Sequence, residues 1–124
     1  MKAAVMIAIA LSALLAVGIA VAVSTHADPT GTETSIKGEV VDLWCFLEAG
    51  ARGAGHKACA VGCATSGLPI GIVDADGNIY LALGFKDHQN AKDLLLSRMA
   101  DTVTVSGTLV KKGGFEAIFI KDVK

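Results

Sequence analysis

From Ala3 to Val23 the chain is apolar, broken only by Ser12 and Gly18, with Lys2 as the single charge before it. The run turns polar at Ser24-Thr25-His26-Ala27-Asp28-Pro29, and Thr25-His26-Ala27 suits a small-x-small cleavage site. This pattern predicts a secretory signal over residues 1–27. Residues 3–23 are also long enough to span a bilayer at about 1.5 Å per residue, so an uncleaved membrane anchor is the second reading. Either one places the remainder outside the cytoplasm, periplasmic or secreted. Residues 28–35 (DPTGTETS) carry no apolar anchor and are expected to be a linker. Residues 36–124 then form one domain.

Within that domain the apolar period switches between two and about four. Ile36–Trp44 (IKGEVVDLW) is expected to be a strand, with Gly38 marking a bend or bulge. Cys45–Gly67 holds five glycines and predicts a loop-rich insert, with a short helix over His56–Thr65. Pro69–Asp74 and Asn78–Leu83 are two strands joined by Ala75-Asp76-Gly77, whose Asp-Gly pair signals a hairpin. Over Asp87–Ala100, Ala91, Leu95 and Met99 recur every four residues, which predicts a helix with Asp87 as its N-cap. Thr102–Val110 places Val103, Val105, Gly107 and Leu109 on one face, and Phe115–Ile120 follows across a Lys-Lys-Gly-Gly turn as a second hairpin. Five strands with a helix between the third and fourth is the order of an OB-type Greek-key barrel. The fold class expected is therefore mainly β, with a Cys/His-rich helical insert after the first strand. An open α+β sheet is the alternative.

Composition narrows the function classes. The chain of 124 residues is 52% hydrophobic, and much of that lies in the leader. The 97 residues that follow make one small domain, which excludes a multidomain enzyme. Of eleven Lys+Arg, Lys2 belongs to the leader, so the domain sets ten bases against twelve acids, a net charge of −2. That balance argues against nucleic acid or anionic lipid as partner. The aromatics Trp44, Phe46, Tyr80, Phe85, Phe115 and Phe119 are sparse and fall mostly at core-type positions, which also argues against a base-stacking face.

The chemistry is concentrated in the insert. All three cysteines, Cys45, Cys59 and Cys63, lie within nineteen residues that also include His56. On a helix, His56, Cys59 and Cys63 would project within about one-fifth of the circumference. Cys45, leaving the end of the first strand, would supply a fourth ligand once the glycine loop folds back. One imidazole and three thiols match a tetrahedral Cys₃His site for Zn²⁺, and the thiolates suit Cu(I) at least as well. Asp42 and Glu48 flank Cys45, either as acceptors for His56 or as exposed carboxylates.

Two other readings start from the same residues. In an oxidising compartment, Cys45 with Cys59 or Cys63 would close a loop of roughly 15–20 residues and stabilise by about 3 kcal/mol. That leaves an odd thiol on a disulfide-stapled interaction module. Alternatively, Cys59 or Cys63 beside His56, Lys57 and Arg52 would have a lowered pKa and take part in thiol redox chemistry. The absence of Cys-x-x-Cys makes a thioredoxin-like catalyst a poor fit. Asp74 and Asp76 fit turn formers better than a calcium loop. Gly50–Gly55 lacks the closing Lys-Ser/Thr of a phosphate loop, and its glycines are expected to let Cys45 approach the helix.

The stretch GEVVDLWCFLEAGARGAGHKACAVGCATSGLPIGIV resembles that of small exported bacterial OB-like proteins with a Cys/His-rich insert after the first strand. The likeness runs from Gly38 to about Val123. It implies the fold and export, and brings no activity with it. The residues together point to an exported, non-enzymatic metal-binding or metal-delivering protein. It would hold one ion through Cys45, His56, Cys59 and Cys63, and exchange it with a donor or acceptor protein.

Overall fold

The computed structural model describes residues 27–124. The expected leader lies outside the described residues, apart from Ala27. No helix among the described residues is long and apolar enough to cross a membrane.

Five strands close into a barrel: β1 (Thr32–Asp42), β2 (Ile70–Asp74), β3 (Ile79–Gly84), β4 (Thr102–Lys112) and β5 (Phe115–Val123). Around the barrel the order is β1-β2-β3-β5-β4, and β4 returns to β1. Every pairing is antiparallel except β3 with β5, which is parallel. This is the OB-like arrangement expected from the element order, and closure excludes the open α+β sheet. Among the described residues, three α-helices decorate it. Helices α1 (Leu43–Ala49) and α2 (Lys57–Thr65) lie between β1 and β2, with a 3₁₀ turn at Ala54–His56 between them. Helix α3 (Ala91–Leu95) runs into a 3₁₀ turn at Leu96–Arg98 before β4.

Strand β1 does two jobs. Its first part pairs with β4 and its second with β2, and Gly38 and Glu39 pair on both sides. The bend falls there because a Cβ on Gly38 would lie 2.5 Å from the Val73 carbonyl oxygen, so only glycine lets the strands approach. Inward-facing Ile36, Val40, Ile72, Val103, Val105, Ile118 and Ile120 fill the interior. Leu95 and Met99 close one end, and both are fully buried. The hydrophobic effect at these positions is the main stabilising term of the domain.

Several boundaries differ from expectation, each for a local reason. Half of the expected linker is strand: Thr32–Ser35 pair with Leu109–Ser106. They have no apolar anchor and use polar partners instead. Ser35 and Ser106 hydroxyls meet at 2.7 Å, and Glu33 accepts from the Thr108 hydroxyl and from Lys121 Nζ. The expected helix over Asp87–Ala100 is shorter at both ends. His88 and Ala100 adopt positive φ, and Asn90 rather than Asp87 caps the helix by accepting from Lys92 N–H at 2.9 Å. The β1 strand also stops two residues early, at Asp42, because a helix begins at Leu43.

Candidate metal centre

Cys45 sits on α1, a helix that the apolar run Ile36–Trp44 conceals. Its borders have clear causes. Asp42 is extended, and its Oδ1 accepts the Cys45 backbone N–H at 2.9 Å as an N-cap. Gly50, in the left-handed region at φ 65°, ends the helix and donates its N–H to the Phe46 carbonyl. Leu43 is buried with Val41 and Val73, and Phe46 packs against them, so α1 is fastened to the barrel wall. The Leu43 N–H donates to the Pro69 carbonyl at 2.9 Å, tying the start of the insert to its end.

Helix α2 presents Ala60 and Ala64, one turn apart, to the barrel core. Small side chains there bring the helix close. Cys59 and Cys63 are likewise one turn apart and sit beside that face, Cys63 half-buried and Cys59 exposed. Lys57 Nζ donates to Asp101 Oδ1 at 2.8 Å and pins the first turn of α2. All three cysteines are free thiols, and Cys45 Sγ lies 3.8 Å from Cys63 Sγ.

Two ligand groups result, and they share Cys45. The sulfurs of Cys45, Cys59 and Cys63 all lie within 4.8 Å of one another, and donor atoms of Asp42, Cys45 and His56 do the same. The convergence of Cys45 from across the glycine loop thus agrees with expectation. The placement of His56 differs. It precedes α2 as its N-cap residue, in the 3₁₀ turn, and Nε2 lies 3.0 Å from Asp42 Oδ2. Its ring is therefore held by Asp42 rather than standing in line with Cys59 and Cys63.

Asp42 is the buried hub of this arrangement. Its side chain is wholly inaccessible to solvent. Burial pushes its carboxyl up, but the Cys45 backbone N–H, His56 and the Cys45 thiol outweigh this, so it lies below the ordinary carboxylate range. An ionised carboxylate can only accept, so Nε2–H of His56 is the donor in this pair and Nδ1 is the ring nitrogen not engaged by Asp42. This is the carboxylate–histidine pairing that orients metal-binding imidazoles. The thiols feel the opposite influence. Burial, then the Asp42 carboxylate, pushes the Cys45 thiol up to about 12, and burial also raises Cys63.

The lowered cysteine pKa considered from sequence is therefore corrected for Cys63. The cations meant to produce it are engaged elsewhere: Lys57 with Asp101, and Arg52 with Glu39. Cys45 and Cys63 are therefore protonated at neutral pH, and a thiophilic cation would displace their protons on binding.

Sequence reasoning missed the contribution of Glu39. From β1, its Oε1 accepts the Gly53 N–H at 2.5 Å and its Oε2 accepts Arg52 Nε at 2.9 Å. It fastens the glycine loop to the barrel, three residues before Asp42 fastens α1 and His56. No motif marks such a contact; only the fold shows that the loop returns to β1. Glu48, by contrast, is exposed and takes no part. The aromatic expectation is also corrected. Trp44 and Phe115 are 63% and 69% exposed, and with Leu47 they rim an apolar groove floored by Leu43, Pro69 and Leu81. Asp74 is the turn former expected, accepting from Asp76 N–H, from Asn78 N–H and Nδ2, and from the Tyr80 hydroxyl.

No protein-family model, curated protein sequence or solved structure matches this chain.

Proposed function

We propose that the protein is an exported, non-catalytic metal-binding protein that holds one transition-metal ion, Zn²⁺ or Cu(I), for storage or delivery to a partner protein. The observation that carries this reading is the approach of three cysteine sulfurs to within 4.8 Å of one another, from two helices, in a chain with only three cysteines. Three thiolates form a soft donor set, which suits Cu(I) in three-fold coordination and Zn²⁺ in four-fold coordination. For Zn²⁺, His56 is the candidate fourth ligand through Nδ1, with Asp42 retained on Nε2 as its orienting acceptor. The exposed Cys59 gives a partner's thiol one ligand to reach first, which favours handing the ion on over a closed structural site. The apolar leader supports export.

Metal analysis of protein purified without chelator, paired with a thiol count on the unfolded and unreduced sample, tests the reading. About one ion per chain is expected, with three free thiols once the metal is removed. A chain that takes up neither Zn²⁺ nor Cu(I) after its three thiols are reduced would overturn it and leave a disulfide-stapled module.

A further inference from the structure

The stapled module and the metal site use the same three residues, and their geometry permits both in succession. A disulfide needs its two Cβ atoms about 3.5–4.5 Å apart, whereas residues four apart on a helix hold theirs at about 5–6 Å. Cys59 and Cys63 stand in that relation on α2, so a bridge between them would distort the helix. Every comfortable bridge must therefore include Cys45, which comes from α1. Its Sγ lies 3.8 Å from that of Cys63, so the two sulfurs need to close by less than about 2 Å to reach a bond of about 2.05 Å. Cys59 is the exposed thiol and the first an external reagent meets.

We infer that Cys45 and Cys63 form a reversible disulfide, with Cys59 as its exchange thiol, and that closing this bridge discharges the metal. The inference of discharge rests on the metal reading above. The oxidant is a small-molecule disulfide, RSSR. Cys59 attacks one of its sulfurs, forming a mixed disulfide and releasing RSH. Cys45 then attacks the Cys59 sulfur, forming a Cys45–Cys59 bond and releasing the second RSH. Cys63 attacks the Cys45 sulfur and returns Cys59 as a free thiol. Two thiols lose two electrons to RSSR, which leaves as two RSH carrying both protons. Cys59 is consumed and regenerated, which gives the odd cysteine a role in exchange as well as in binding. Afterwards one thiol remains, too few for a trithiolate site, and α1 is covalently joined to α2. An excess of small thiol runs the same steps backwards and restores the site.

Oxidised glutathione is the probe, applied to metal-free and zinc-loaded full chain. Free thiols are then alkylated and the bridge is mapped by peptide mass. In the metal-free arm, wild type and Cys59→Ser should both end with Cys45–Cys63 joined, the variant at least tenfold more slowly. Cys45→Ser should form no internal bridge. A final bridge that includes Cys59, or equal rates with and without it, overturns the pairing or the exchange role respectively. In the loaded arm, zinc captured by a coloured chelator should appear in step with the bridge. Protein that keeps its zinc and three thiols under excess disulfide overturns the discharge alone. A chain that, reduced, takes up neither zinc nor Cu(I) yet forms the bridge overturns the metal reading, and the discharge with it. Circular dichroism of each serine variant separates loss of fold from loss of chemistry.

Discussion

In the barrel, Val40, Ile72, Val105 and Ile118 are wholly buried and fixed by pairings on both sides of their strands. In the insert, the buried residues that reach the same core are two alanines, Ala60 and Ala64, with half-buried Val61 beside them, while Leu43 and Phe46 pack against Val41 and Val73. That limited apolar packing is supplemented by a few polar contacts: Asp42 to Cys45 and His56, Glu39 to Arg52 and Gly53, Lys57 to Asp101. Apolar burial is non-directional and tolerates exchange of similar volumes, whereas each of these contacts depends on one particular atom. The barrel thus supplies stability, and the insert uses a small part of it to hold three thiols near the surface in defined positions. A site built this way should fail through single carboxylates while the fold survives.

The largest effect should come from the barrel. Ile118→Ala leaves a cavity in the core and should cost about 2–5 kcal/mol in urea denaturation, weakening both regions together. If the loss were under about 1 kcal/mol, the core would not be the main source of stability.

Asp42→Ala should separate the regions. It removes the α1 cap and the partner of His56, so a stability loss of about 1–3 kcal/mol is expected. Metal affinity should fall by about 10–100-fold, because the imidazole loses its orienting acceptor. Asp42→Asn keeps a cap acceptor for the Cys45 N–H, so it should recover most of the stability and less of the affinity. Titration calorimetry on both variants checks this, and equal affinity in wild type and Asp42→Ala would remove Asp42 from the site.

The smallest effect belongs to the β2–β3 turn. The Asn78 side chain, then the Asn78 N–H, the Tyr80 hydroxyl and the Asp76 N–H, hold the Asp74 carboxyl below its ordinary range. A carboxyl with a depressed folded pKa contributes its full stability above the unfolded value and loses it as pH falls through the folded value. Asp74→Asn should therefore shallow the acid limb of the urea midpoint slightly as pH falls below about 5, with little change in metal binding. An acid limb as steep as the wild type's would contradict this.

The two regions also differ in how far the sequence reveals them. Period-two alternation at Val103 and Val105, and the Asp76-Gly77 turn, mark barrel strands because each strand faces one core. The order of elements then gives the closed topology. Helix α1 is harder to see because Val40, Val41, Leu43 and Trp44 continue the apolar run on both sides of a single polar residue, Asp42. Its signals are nonetheless present: Asp42 and Gly50 bracket seven residues as cap and stop. The gathering of the cysteines is legible from their crowding. The turn of His56 toward Asp42 is not, since it depends on where the glycine loop is fastened, and Glu39 does that from a strand distant in sequence. Trp44 and Phe115 show the limit of composition: a large apolar residue at a strand or helix end is as easily exposed as buried.

Cobalt titration of the reduced protein, followed by absorption, tests the central claim most directly, because thiolate–Co²⁺ bonds give intense charge-transfer bands. The expected result is a sulfur-to-metal band that saturates at about one ion per chain and weakens in Cys45→Ser, Cys59→Ser and Cys63→Ser alike. A chain that gives no such band, or keeps it unchanged in any one of the three variants, would contradict convergence of the three thiols on a single ion.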